Sequence, residues 1–347
     1  MEELRFLSEG VIVAGRWKIV EKLGEGGMGA VFKVQDKKRH NWFAAMKVES
    51  DIADGGVLKL EVHFLQQLSK LKNTVKLLDS GQRDKYCFMV MTILGPDLMN
   101  QKRQAGVPFC EATTLRIAMG TLLAIKQVHE TGYVHRDIKP GNCMMGLYGR
   151  DARCFYLIDY GMVRSFIVKE DGVTKLRKPR GGEQLFRGTP RYCSMGTHLR
   201  KEQGRCDDLW SWLYMLVELH CGLPWRRVVD EKLIKTAKEN TPVEQVLKTC
   251  PKEFFNIHKY LQTLEYKHRP DYFGLWSECF AGLKRVKGSF LDRFEWERGE
   301  GEEIKTALSL SDRTLKNDFQ PTKQTQMGKK LYPYANMAEF KEKILKF

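Results

Sequence analysis

The stretch "RWKIVEKLGEGGMGAVFKVQD", residues 16–36, restricts the fold more than any other part of this 347-residue chain. Apolar and polar residues alternate on both sides of a glycine cluster, and a period of two belongs to strands, so the cluster joins two strands of a small sheet. Gly24, Gly26 and Gly29 are spaced G-x-G-x-x-G. Taken alone that spacing is weak, because an ordinary flexible hairpin reads the same way. Its context disfavours a dinucleotide fingerprint, which needs a strand before the glycines and a helix after them. A loop folded over phosphates from a hairpin fits better, since glycines let backbone N–H groups approach phosphate oxygens with no Cβ in the way.

Two anomalies follow the hairpin. "FAAMK" places Lys47 at the end of an apolar run, and residues 57–71, "VLKLEVHFLQQLSKL", read as a helix with Leu58, Val62, Leu65 and Leu68 at three- and four-residue steps. Glu61 falls on that same inward face. A buried carboxylate is costly unless paired, so a Lys47 to Glu61 ion pair resolves both. From about residue 111 the pattern becomes mainly helical: Leu115, Ala118, Leu122 and Ile125 form one stripe that stops near Gly132. Residues 207–225 are apolar nearly all round after two aspartates, which marks a buried helix. The chain is polar and aperiodic over 299–347, where a flexible tail is expected, with a short helix in "NMAEFKEKILKF".

Composition narrows the partners and the compartment. With 42% hydrophobic residues the chain can build a real core, and its net charge of +15 favours an acidic partner without choosing one. The nine cysteines show no C-x-x-C pair, and the N-terminus lacks a signal-peptide pattern. Reduced thiols and a cytoplasmic or nuclear location are the expectation. No run approaches 18 apolar residues, so no membrane span is expected. A basic nucleic-acid-binding module remains an alternative, but basic-aromatic interleaving and zinc-ligand spacing are both missing.

Residues 133–145, "YVHRDIKPGNCMM", then "YLIDYGMV", 156–163, supply the decisive pattern. His135, Arg136, Asp137 and Asn142 form H-R-D-x-x-x-x-N, and Asp159 ends an apolar run just before Gly161. Each motif alone is a turn. Coming in this order after the glycine loop and Lys47, they resemble the eukaryotic protein-kinase signature set, over roughly residues 15–298. That resemblance implies an α+β, bilobal fold: a small β-rich N-lobe with one regulatory helix (about 15–94) and a larger, mainly helical C-lobe (about 95–298).

The resemblance also implies roles. ATP would be enclosed by Leu23, Gly24, Glu25, Gly26, Gly29, Val31 and Ala45, with Met91 as gatekeeper and Thr92 and Leu94 as hinge residues meeting adenine. Lys47, held by Glu61, would grip the α- and β-phosphates. Asn142 and Asp159 would hold magnesium. Asp137 would accept the proton of the substrate hydroxyl, while Lys139 neutralises the moving phosphoryl group. Lys139 within "HRDIKPGN" is similar to the serine/threonine type.

Finer features, "LGPDL" at 94–98, "GTPRYCS" at 188–194 and "FEWERG" at 294–299, resemble the casein-kinase-one superfamily and its tau-tubulin kinase branch. By that likeness Asp208 is a buried anchor for the catalytic loop, and Arg187, Thr189 and Arg191 border the peptide groove. Arg191 would favour acidic or phosphorylated protein substrates, cytoskeletal ones among them, handled by a monomer. Three departures stand out. Tyr160 replaces the usual Phe, Pro190 follows Thr189, and Ser194-Met195-Gly196 replaces the Ala-Pro-Glu that ends most activation segments, leaving Arg269 without its customary glutamate. Tyr160 and the altered segment end keep a pseudokinase scaffold as the alternative to an active enzyme. Between Gly161 and Gly188 only Ser165 and Thr174 carry aliphatic hydroxyls, so activity without activation-loop phosphorylation is expected.

Overall fold

A computed structural model describes residues 4, 6–26, 29–50, 56–297 and 332–345. The chain forms two compact units, Met1–Gly95 with Ile158–Val163, and Pro96–Leu157 with Arg164–Phe347.

The first unit is an antiparallel sheet with one helix. Its strands are β1 (Ile12–Val13), β2 (Trp17–Gly26), β3 (Gly29–Asp36), β4 (Phe43–Ser50), β5 (Leu77–Arg83) and β6 (Tyr86–Thr92), in spatial order β1-β2-β3-β4-β6-β5. The expected hairpin is β2-β3, closed by a Gly26–Gly29 pair, and its tip at 27–28 lies outside the described residues. Alternation sorts the side chains by face, as a period of two requires. Phe32, Val34, Ala44, Met46, Val48, Phe88 and Val90 build one core. Val31, Ala45, Lys47 and Met91 share the other face, since Val31 pairs with Lys47 and Ala45 with Met91. Helix α1 (Gly56–Leu68) buries Leu58, Glu61, Phe64, Leu65 and Leu68. Val62, expected inside, is only half-buried, and Phe64 takes its place.

The second unit is mainly helical: α2 (Leu98–Ala105), α3 (Glu111–Glu130), α4 (Met195–His198), α5 (Arg205–His220), α6 (Glu231–Asn240), α7 (Val243–Val246), α8 (Glu253–Gln262), α9 (Tyr272–Arg285) and α10 (Met337–Lys341). Three two-stranded ladders accompany them: β7 (Tyr133–Val134) with β10 (Arg164–Ser165), β8 (Cys143–Met145) with β9 (Phe155–Leu157), and β11 (Ile167–Glu170) with β12 (Val173–Leu176). Helix α5 is buried nearly all round, as its composition requires. Trp212 is fully buried and donates its Nε1–H to Ala118 O (3.2 Å) and Thr121 Oγ1 (3.0 Å), which fastens α5 to α3. The fold class is the expected α+β type, and no described helix is long and apolar enough to cross a membrane.

The C-terminal residues differ from the expected flexible tail. Over 332–345 they pack: Trp276 of α9 donates to Tyr334 O (2.8 Å), Tyr334 and Phe340 are buried, and α10 falls within the helix expected there. Spaced aromatic anchors with no helical period hold this segment, which is why periodicity missed it. The rest of the expected tail, through residue 331, lies outside the described residues.

Gly120, inside α3, lets the β8-β9 ladder approach: a Cβ there would lie 2.0 Å from Phe155 Cδ2. Alanine normally gains up to about 1 kcal/mol over glycine in a helix, but overpacking costs about 1–3 kcal/mol. Gly120→Ala is therefore expected to destabilise the protein, seen as a lower urea midpoint; a raised midpoint would show that Phe155 can move aside.

Candidate active site

In the first unit a single cation serves three carboxylates. Lys47 Nζ pairs with Glu61 Oε1 and lies 3.8 Å from both Glu49 Oε1 and Asp159 Oδ1. Burial pulls the Lys47 ammonium down, but Glu61, then Asp159 and Glu49, outweigh it and leave the group raised. The most deeply buried carboxylate bears the cost: Glu61 is pushed up to about 7 by burial first, with Asp159 and Glu49 adding to it against the pull of Lys47. Glu49, which was not among the expected residues, also accepts from Leu58 N (2.9 Å) and so fastens the first turn of α1 to β4.

Two glycines permit this packing. At Gly161 a Cβ would meet Val57 Cγ1 at 2.5 Å and Glu61 Oε1 at 3.1 Å, so only glycine passes α1 there. At Gly29, φ is +150° and a Cβ would fall 2.0 Å from Val48 O. The Tyr160 ring is buried, with its centroid 4.7 Å from that of Phe64. Asp159 stays 46% exposed amid this buried packing. Of the expected nucleotide residues, Gly24 pairs with Val31 across the hairpin, Leu23 is exposed, and Glu25 is tied to Lys22. Thr92, at the end of β6, donates its N–H to Lys76 O (3.0 Å), and Leu94 follows just beyond the strand.

In the second unit the H-R-D loop hangs on Asp208. Its carboxylate accepts from His135 N (2.7 Å) and Arg136 N (2.8 Å), and from His129 Nε2 (2.8 Å). Tyr272 OH lies 2.6 Å from His129 Nδ1, so the network assigns the ring proton to Nε2. Burial would push the Asp208 carboxyl up, yet the bond from His129 and the backbone N–H of His135 hold it below the usual carboxylate range. These bonds keep Arg136 at φ 70°, a left-handed conformation rare outside glycine.

Asp137 is thereby presented with its carboxylate already oriented. Lys139 Nζ donates to Oδ2 (2.6 Å), Thr189 Oγ1 to Oδ1 (2.7 Å), and Asn142 Nδ2 to the Asp137 carbonyl (2.9 Å) and Oδ2 (3.2 Å). Thr189 reaches it because Gly188, at φ +117°, lies where a Cβ would meet Arg136 O at 2.6 Å. Arg187 is exposed and Arg191 half-buried, with its carbonyl accepting from Trp225 Nε1 (2.9 Å).

Three fastenings here were not expected from sequence. Lys238 of α6 donates to Pro190 O (2.7 Å) and Cys193 O (2.6 Å); Pro190 keeps the carbonyl that this bond uses, so the proline is tolerated. Lys238 stands four residues after buried Ile234, and that stripe position was the available signal. Arg269 does not lack a partner: Glu130 of α3 takes the place of the missing activation-segment glutamate and also accepts from Ile344 N (2.7 Å) and Leu345 N (2.9 Å). Arg177, in the basic segment after Asp159, is bound internally to Glu202 (2.6 Å).

A β-rich unit carrying a lysine-glutamate pair on its one helix, followed by a helical unit carrying the H-R-D loop, is the fold of a protein kinase domain. The sequence pattern of the protein kinase domain matches residues 17–281, and the chain belongs to that family. It is 41% identical over 294 residues to a Caenorhabditis elegans protein named "putative serine/threonine-protein kinase", covering 84% of each chain. It is 34% identical to a Dictyostelium discoideum "probable serine/threonine-protein kinase" over 86% of this chain and 59% of that one. It is 30% identical to casein kinase I homolog 3 of Schizosaccharomyces pombe, over 82% of this chain and 66% of that one.

The raised Glu61 gives a pH signature. Below about 7 the carboxyl is protonated and Lys47 loses its closest anion, so the rate of phosphoryl transfer is expected to rise with pH through about 7. Stability runs the opposite way: a carboxyl raised above its ordinary 4.5 favours the folded state when protonated, and that contribution is lost as pH rises through about 7. Glu61→Gln should lower the rate and flatten the limb; an unchanged limb would assign it to another group.

Proposed function

We propose that the protein transfers the γ-phosphoryl group of ATP to serine or threonine hydroxyls of protein substrates, in the manner of the tau-tubulin branch of the casein-kinase-one group. The carrying observation is the carboxylate of Asp137, held by Lys139, Asn142 and Thr189 on a loop whose backbone is pinned by Asp208. Such a carboxylate can orient a hydroxyl and accept its proton as the oxygen attacks phosphorus. Lys139, 30% exposed, would turn from Asp137 to the phosphoryl oxygens as negative charge moves outward. Lys47 would grip the α- and β-phosphates, its ammonium kept charged by the carboxylates around it.

Magnesium takes hard oxygen donors and binds through one or two protein groups plus nucleotide phosphates rather than an all-protein cage; the Asp159 carboxylate of the first unit and the Asn142 amide oxygen of the second are each donors of that kind. Among the described residues no cluster of three or more acidic, histidine or cysteine side chains offers such a cage. Magnesium bound with the nucleotide would neutralise the phosphate charge. The Tyr160 ring packs against Phe64, the position a phenylalanine ring would take.

For substrates we favour acidic or phosphorylated flanks, read in the cytoplasm or nucleus by a monomer. Support comes from Lys178, Arg180 and Arg187, which stay exposed in the segment after Asp159, and from Arg191 just beyond it. Charge-assisted bonds to such flanks contribute roughly 1.5–3 kcal/mol each, enough for about a tenfold preference.

With magnesium, ATP and casein, Lys47→Met and Asp137→Asn are each expected to lower kcat by about a hundredfold or more while leaving the thermal transition intact. Added salt should depress kcat/KM for acidic peptides more than for neutral ones, and Arg191→Ala should erase that difference. No transfer by the unaltered protein would favour the scaffold; equal rates on acidic, neutral and basic peptides would remove the substrate preference alone.

A further inference from the structure

Two arginines of the segment after Asp159 converge on one buried carboxylate. Glu202, with its side chain 3% exposed, receives Arg164 Nε at 3.0 Å and Arg177 Nη2 at 2.6 Å on the same oxygen, Oε1. Arg136 of the catalytic loop lies in the same field: burial first, then Arg164 and Arg187, push its guanidinium down to about 10, while Asp208 and Glu202 pull it back. Arg180 acts on Arg164 in the same sense. The next residue, Gln203, donates to Arg187 O (2.9 Å). Two arginines of the segment that follows Asp159 thus bind Glu202 directly, and Arg136, Arg180 and Arg187 act within the same electrostatic field.

Like charges held this close repel, and the repulsion is stronger where water is excluded. An anion is needed to keep the segment folded against the catalytic loop. A phosphorylated hydroxyl is the usual way to supply one. Neither aliphatic hydroxyl of the segment is placed for it: Ser165 Oγ is engaged with Ile167 O (2.9 Å) and Ile167 N (3.2 Å), and Thr174 lies in β12 opposite Lys169.

We propose that Glu202 is a built-in anion that replaces an activating phosphate: by binding Arg164 and Arg177 it holds the segment beside Arg136, and so keeps Asp137 in its competent arrangement. Glu202 is a positioning residue, and the inference rests on the phosphoryl-transfer reading above. The anion position has room to spare. Glu202 Oε2, Arg164 Nη2 and Tyr266 OH are buried without partners, and Glu202, Arg180 and Tyr266 line a cavity of about 750 Å³. A tetrahedral oxyanion entering there offers more acceptors than a carboxylate and can meet the same arginines.

The test is rescue by inorganic sulfate in the full chain. Glu202→Ala is expected to lower kcat at least about tenfold with the KM for ATP changed less than about twofold. Sulfate at tens of millimolar, against sodium chloride of equal ionic strength, should restore at least about half of the lost rate and raise the Tm of the variant more than that of the unaltered protein. Glu170→Ala, which removes an exposed partner of Lys175, should show neither effect. Undiminished kcat in Glu202→Ala overturns the proposal. So does a loss that sulfate fails to restore in a variant that still unfolds cooperatively, because that describes packing alone. Should Glu202→Ala not fold, Glu202→Gln, which keeps the shape without the charge, is read by the same two measurements. If the unaltered protein transfers no phosphate at all, the phosphoryl-transfer reading falls, and a sulfate-specific gain in Tm still decides whether Glu202 fills an anion site.

Discussion

A buried carboxylate with two backbone N–H groups and an imidazole bonded to it holds the H-R-D loop in place. Taking Asp208 out of water is costly, and only a full set of donors makes it tolerable. Asp208 has that set, and the bonds run both ways: the loop stabilises the anion, and the anion holds Arg136 in a left-handed conformation that costs of order 1–3 kcal/mol where nothing enforces it. Helix α5 can carry such a group rigidly because the turns after it are packed on every side, with Leu209, Trp212, Leu213 and Leu216 all essentially buried. Once Arg136 is set, Asp137 has little freedom, and Lys139, Asn142 and Thr189 need only complete its orientation.

The sheet unit follows the same logic with the charges reversed. There a cation, Lys47, is fixed by carboxylates, and its strand position follows from the register that pairs it with Val31 on the face shared with Ala45 and Met91. Glu61 reaches it from α1, and Gly161 lets the segment bearing Asp159 pass that helix closely enough to join them. Each unit therefore presents charged groups whose positions are fixed in advance by neighbours of opposite charge, which is what chemistry dominated by electrostatic stabilisation requires.

Much of this was legible in the sequence because it is carried by local period or by paired anomalies. The β2-β3 hairpin follows from alternation around glycines, and the Lys47–Glu61 pair follows from two charges that have no good reason to be buried separately. Phe64 replaced Val62 on the inner face of α1 because Tyr160 offered it an aromatic partner from a distant segment. Partners such as Glu130 for Arg269 and Glu202 for Arg177 were hidden for a different reason: nothing local marks which of many surface-like glutamates will be enclosed. Lys238 is a further case, since only the packing of α6 turns it onto two carbonyls. The terminal residues 332–345 carry no period at all, only Tyr332, Tyr334 and Phe340 at intervals that become meaningful once the second unit is there to receive them.

The most direct test is the Asp208→Asn variant, in which one carboxylate oxygen becomes a donor and can no longer accept a backbone N–H. The predicted result is a fall in kcat of about a hundredfold or more with the Kd for ATP, measured by calorimetry, changed less than about threefold and a cooperative unfolding transition retained. An unchanged kcat, or a loss of ATP affinity as large as the loss of rate, would contradict the claim that this buried carboxylate positions Asp137 for catalysis.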